Sequence, residues 1–104
     1  MMSLDAAFDR IGSALRQMGY AFAREEKASD AAGDRVALFT RPNFSVRVRW
    51  YGSARMLALQ VDTNGEWVDF AKRSFGPSGL EETAVDALVR AVRNEVAETS
   101  TDSD

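Results

Sequence analysis

From Arg35 to Arg73 apolar and polar residues alternate with a period of two, and on either side of that block they recur at helical spacing. The runs Phe44–Tyr51, Arg55–Asp62 and Glu66–Arg73 each place alternate side chains on opposite faces of a pleated strand. Turn signals separate them at Pro42-Asn43, Gly52-Ser53 and Asn64-Gly65. Asn-Gly is the strongest of these, because a type I′ hairpin needs two residues that tolerate positive φ. Arg35–Arg41 supplies a further strand, and residues 20 to 26 supply an edge strand if they pair. The pattern predicts an antiparallel meander of four or five strands.

Register can be worked out from the turns, since a slip of one residue sends every side chain to the wrong face. A two-residue turn at Asn64-Gly65 sets Val61 opposite Val68, Leu59 opposite Phe70 and Leu57 opposite Lys72. A two-residue turn at Gly52-Ser53 sets Val48 opposite Leu57 and Val46 opposite Leu59. Across Pro42-Asn43, Phe39 falls beside Val46 and Ala37 beside Val48. Proline does not suit a primed turn, so a wider loop of even length is expected there. Both hairpins agree on one apolar face. The opposite face then reads Leu38, Arg47, Ala58 and Ala71 in one row and Val36, Arg49, Met56 and Arg73 in the next, with Asp62 and Trp67 toward the Asn64-Gly65 turn.

Helices are predicted at both ends. Ser3 caps the first, Asp5 suits its positive end, and Leu4, Phe8, Ile11, Leu15 and Met18 form its stripe until Gly19. Ser78-Gly-Leu-Glu81 has the form of a capping box, followed by Leu80, Ala84, Leu88, Val92 and Val96. The expected fold class is therefore α+β: an N-terminal helix, the meander and a C-terminal helix, as a two-layer sandwich with both helices on one sheet face. Helices on opposite faces would instead make Val36, Leu38, Met56 and Ala58 a second core. The folded domain is expected to span residues 1–98, and the polar, acidic residues 99–104 to form a disordered tail.

Composition narrows the chemistry. The chain has 104 residues, no cysteine and no histidine, so it offers no disulfide, no thiolate or imidazole metal ligand and no Ser-His-Asp or Cys-His arrangement. Asp62 and Asp69 are a conceivable acid–base pair, but exposed carboxylates near a turn are ordinarily just solvated. Asp62-Thr-Asn-Gly-Glu66 starts like a calcium loop, yet its twelfth position is Arg73 where a bidentate glutamate is needed. The expectation is a non-enzymatic chain without cofactor or metal. No apolar run has the length of a membrane span and no export signal is evident, so cytoplasmic residence without membrane association is expected.

Charge is unevenly placed. Residues 35 to 73 hold seven basic and three acidic residues, a net of +4, while the remainder carries −7 and the whole chain −3. The second sheet face thus combines arginines with the residue types enriched at interfaces. The expected function is a binding module, with an adaptor-, chaperone- or inhibitor-like role, that meets a protein partner or a second copy of itself as a homodimer. Leu38, Arg47, Arg49, Tyr51, Met56, Trp67 and Arg73 are the expected contact residues. The first alternative is a single-stranded nucleic-acid binder with Trp67 or Tyr51 as stacking platform, although acidic flanks repel a polyanion. The second is a small-ligand site or enzyme between sheet and helix.

Overall fold

A computed structural model describes residues 2–27, 33–76 and 79–101, with backbone alone for 27 and 95–101. The elements follow as α1 (Leu4–Gln17), β1 (Ala21–Lys27), β2 (Arg35–Arg41), β3 (Phe44–Tyr51), β4 (Met56–Thr63), β5 (Glu66–Ser74) and α2 (Glu82–Thr101). The five strands form one antiparallel sheet in sequential order, so the α+β meander read from the sequence is the observed fold.

The start of α1 is set by its cap. The Ser3 hydroxyl accepts a hydrogen bond from the Ala6 amide at 3.1 Å, and Asp5 lies in the first turn. Gly19, at φ +92°, ends the helical path after Met18. Replacing Ser3 by alanine leaves that amide to water alone. The expected loss is about 1 kcal/mol of unfolding free energy, measured by urea denaturation, with Ser3→Asp retaining most of the stability.

Both helices lie on the same side of the sheet. Ala7, Phe8, Ile11 and Leu15 of α1 and Val85, Leu88 and Val92 of α2 join Ala37, Phe39, Val46, Val48, Trp50, Leu57 and Leu59 in one buried cluster. These strand residues all belong to one alternating set, which is why the cluster occupies a single face. Arg10 ties the helices together, donating to Asp86 at 2.8 Å and lying 3.5 Å from Glu82. In the middle of α1, Gly12 lets the Phe39 ring approach to 3.0 Å of where a β-carbon would stand.

Two of the three turns differ in detail from the simplest reading. Pro42-Asn43 forms a tight two-residue loop after all, since Asn43 takes φ +69°, the combination a type II turn uses. At Asn64-Gly65 both residues have positive φ, as expected, and Asp62 accepts from the Gly65 amide at 2.9 Å. The β3–β4 loop is four residues long, from Gly52 to Arg55, with Arg55 at φ +50°. Pairing there is shifted by two residues, so Val48 faces Leu59, Val46 faces Val61, and Trp50 faces Leu57. The shift is even, and the apolar face is preserved.

A bulge in the last hairpin has larger consequences. Val61 faces Val68 and Gln60 faces Asp69, but Leu59 faces Ala71, so β5 carries one extra residue, Phe70. Parity is reversed beyond that point. Arg73 pairs with Leu57 and Lys72 with Ala58, which places Ala71 and Arg73 away from the face expected for them. Phe70 is only half-buried against the core.

The second helix begins later than the capping-box pattern implies. Leu80 is held in an antiparallel bridge, its carbonyl accepting from the Met2 amide at 3.0 Å, and Gly79 has φ +118°. Neither can enter a helix in that state, and the Glu81 carbonyl accepts the first helical amides, those of Ala84 and Val85, both at 3.1 Å. Ser78 lies outside the described residues. At the other end α2 runs through Thr101, past residue 99 where the sequence reading began the tail; 102–104 and the Val96 side chain lie outside the description. No helix among the described residues is long and apolar enough to cross a membrane.

Candidate functional site

With both helices on one side, the face of the sheet that carries Arg47 and Arg49 has no helix over it among the described residues. Cross-strand pairing fixes its rows. Arg24, Leu38, Arg47, Gln60 and Asp69 form one, and Glu26, Val36, Arg49, Ala58 and Lys72 the next. Tyr51 pairs with Met56 at one end, and Asp62 with Trp67 at the other.

This face is roofed by its own side chains. The Arg47 guanidinium lies 4.4 Å from the centre of the Trp67 ring, and that of Arg49 lies 4.8 Å from the Tyr51 ring. Beneath them Ala58 has no solvent exposure and Gln60 only 6%. Val36, Leu38, Met56 and Trp67 are half-buried, so the apolar patch that their spacing suggests is only partly open, with an arginine plane against Trp67. The large apolar side chains that are exposed among the described residues, Phe22 and Val68, lie elsewhere.

Gln60 is the polar centre of the roof. Its Oε1 accepts from Arg47 Nε, and its Nε2 donates to Asp69 Oδ1 at 2.6 Å. The chain Arg47–Gln60–Asp69 holds the Arg47 plane against Trp67 and uses the Asp69 carboxylate structurally. Burial lowers the pKa of Arg47, the adjacent Arg49 lowers it further, and Tyr51 and Asp69 act the other way. Arg49 has no corresponding support. No hydrogen bond or ion pair holds it among the described residues, and its Nε is buried without an acceptor.

Of the seven expected contact residues, the structure brings six onto this face: Leu38, Arg47, Arg49, Tyr51, Met56 and Trp67. The seventh, Arg73, is opposite Leu57 and exposed at the edge on the helix side, a displacement caused by the Phe70 bulge. Sequence reasoning missed Gln60 and Arg24. Gln60 was detectable as a polar residue inside the apolar run of β4, but its row depends on a loop length that the local pattern does not give. Leu38 and Trp67, with Arg24, Glu26, Val36 and Arg47, enclose a hollow of about 70 Å³.

A second concavity of about 510 Å³ lies between α1 and the β1–β2 edge, lined by Phe8, Phe22 and Phe39 together with Asp9, Arg16, Glu25 and Arg35. Arg35 is committed here. It pairs with Asp5 and, at 2.9 Å, with Glu25, and lies 4.3 Å from the Phe8 ring centre. Burial pulls its pKa down, but the bonds to Glu25 and Asp5 outweigh that and leave it raised. These contacts tie α1 to β1 and β2. Asp62 and Asp69, the conceivable acid–base pair, are a turn cap and the acceptor of Gln60.

Fold and face together define a helix-backed antiparallel meander with a self-roofed, arginine-rich outer surface. No family model matches the chain, and no curated protein or solved structure is significantly similar to it.

Proposed function

We propose that the chain is a non-enzymatic binding domain that docks a protein, either a different one or a second copy of itself, through the outer sheet face. The observation that carries this reading is the asymmetry of the sheet. One face is sealed by two helices, while the other presents two arginine–aromatic stacks and half-buried Leu38 and Met56 with no other element over them among the described residues. Arginine and aromatic side chains held rigid by stacking bind with little further loss of rotamer freedom, which suits an interface anchor.

The nucleic-acid alternative needs free ring faces on Trp67 and Tyr51. Each ring already carries a guanidinium, and this counts against it. A site between sheet and helix would use Arg35, whose pairing with Asp5 and Glu25 counts against that reading in turn.

Met56→Asp is the direct test, because Met56 is half-buried at the margin of the outer face and the change adds charge there. Val68→Asp, at an exposed position away from that face, is the control. Light scattering across concentration reads self-association, and quantitative capture reads other partners. The expected outcome is that Met56→Asp abolishes the association that the unaltered chain shows and Val68→Asp retains it. Association unaffected by Met56→Asp removes the proposal.

A further inference from the structure

We infer that the occupant of the outer face is a different, acidic protein, and that it delivers one carboxylate to Arg49 and one small aliphatic side chain to the hollow beside Trp67. This inference rests on the docking role proposed above and specifies its partner.

The first ground is the contrast between two neighbouring arginines. Arg47 is satisfied within the chain by Gln60, which in turn is satisfied by Asp69. Arg49, two residues along β3, is half-buried, stacked on Tyr51, and bonded to no acceptor among the described residues. A half-buried guanidinium is costly unless its donors are met, and the natural complement is a carboxylate that takes two of them. The acids on the same face do not fill that role. Asp69 is held by Gln60 and Asp62 by the Gly65 amide. Glu26 is two strands from Arg49 in its row, balanced by Lys72 two strands away on the other side.

The second ground weighs against a second copy. β3 is the middle strand of five, so a two-fold dimer packed face to face on the centre of the sheet sets Arg47 and Arg49 of one copy against the same residues of the other. Like charges brought together in a desolvated interface oppose association strongly. An acidic surface of another protein meets the opposite condition.

Spacing supplies the rest of the description. Arg49 pairs with Val36, and the hollow includes Val36, Leu38 and Trp67. The Arg49 guanidinium lies over Tyr51, four residues along β3 from Arg47 at the hollow, roughly 13 Å along the strand. An extended segment with an acidic residue and a valine or leucine at positions i and i+4 matches that separation. The hollow, at about 70 Å³, takes a small aliphatic group and no aromatic ring.

The test uses the full chain labelled with nitrogen-15 and three probes: a hexapeptide with Glu and Leu at i and i+4, its Gln-for-Glu counterpart, and an oligothymidylate of six nucleotides. The expected result is that the Glu peptide shifts the Arg49 side-chain N–H and the Trp67 indole N–H. The Gln peptide and Arg49→Met should each weaken binding about tenfold to a hundredfold, the span expected when one charge-assisted hydrogen-bond pair is lost. Arg49→Met should leave the melting temperature nearly unchanged, because no internal hydrogen bond or ion pair among the described residues is broken and the Met side chain can still pack on Tyr51, and this separates a binding role from a structural one. Equal binding of the Glu and Gln peptides at this face would overturn the acidic specification while leaving the docking surface in place. Preference for oligothymidylate, or no shift on the face with any probe, would overturn the inference outright, and concentration-dependent dimerisation abolished by Met56→Asp would replace it with self-association.

Discussion

Leu59→Ala is expected to lower the unfolding free energy by about 2–5 kcal/mol, the range for truncating a large aliphatic side chain in a closed core. Leu59 has no solvent exposure and sits in the middle of β4, between Val48 on β3 and Ala71 on β5, with the helices above it. None of its neighbours can collapse easily, since the sheet backbone is hydrogen-bonded on both sides and α1 and α2 are fastened to each other. Phe70→Ala removes a larger side chain but should cost clearly less, because Phe70 is half-buried on the edge strand beside its bulge. Urea denaturation of both variants checks the order. A Phe70 loss equal to or above that of Leu59 would mean that β5 pairs without the bulge, in the register a plain hairpin gives.

Gln60→Ala should lose about 1–3 kcal/mol, as expected when a buried polar residue leaves its partners without a counterpart. The shortened side chain leaves half-buried Arg47 Nε without its acceptor and releases the exposed Asp69 carboxylate to water. Freed from Gln60, the Arg47 plane should also leave Trp67, so the variant should show a changed Trp67 emission. Trp50, buried on the other face, is removed in a Trp50→Phe background, so that the emission reports Trp67 alone. A loss of about 0.5 kcal/mol or less, the level of an ordinary surface change, together with unaltered emission would show that the Arg47–Gln60–Asp69 chain does not order this face.

Much of this architecture is legible in the residues, and the misses have local causes. Strand alternation and the helical stripes are repeated many times over, so the layer arrangement and the inner face survive errors in any one turn. The Asn64-Gly65 turn is read correctly to the residue pair because its backbone demands are met by the residues within it, whereas Pro42-Asn43, expected to be wider, closes in two residues because Asn43 takes a positive φ. The β3–β4 loop is different. Its width is held by the Asp34 carboxylate accepting from the Gly52 amide at 2.7 Å and by Arg55, whose carbonyl takes the Phe75 amide at 2.8 Å. Those partners are distant in sequence, and no local pattern announces them. The bulge at Phe70 is likewise a compromise between packing and pairing, and it alone removes Arg73 from the candidate face. The closing of that face by its own arginines was hidden for another reason. Parity gives the side of the sheet on which a long side chain starts, not the direction in which it lies down.

The rims of the sheet bear on a separate property. β1 carries an irregularity between Phe22 and Arg24 and then the charged run Arg24-Glu25-Glu26-Lys27, and β5 carries its own extra residue with Asp69, Lys72 and Arg73 close by. Exposed strands with regular ladders recruit further strands and grow into aggregates; kinks and charges on the outermost strands interrupt that growth. Both ends of this sheet are interrupted in that way. The sheet can therefore carry a face without a helix and still resist growth, because polymerisation through the backbone is blocked where it would start.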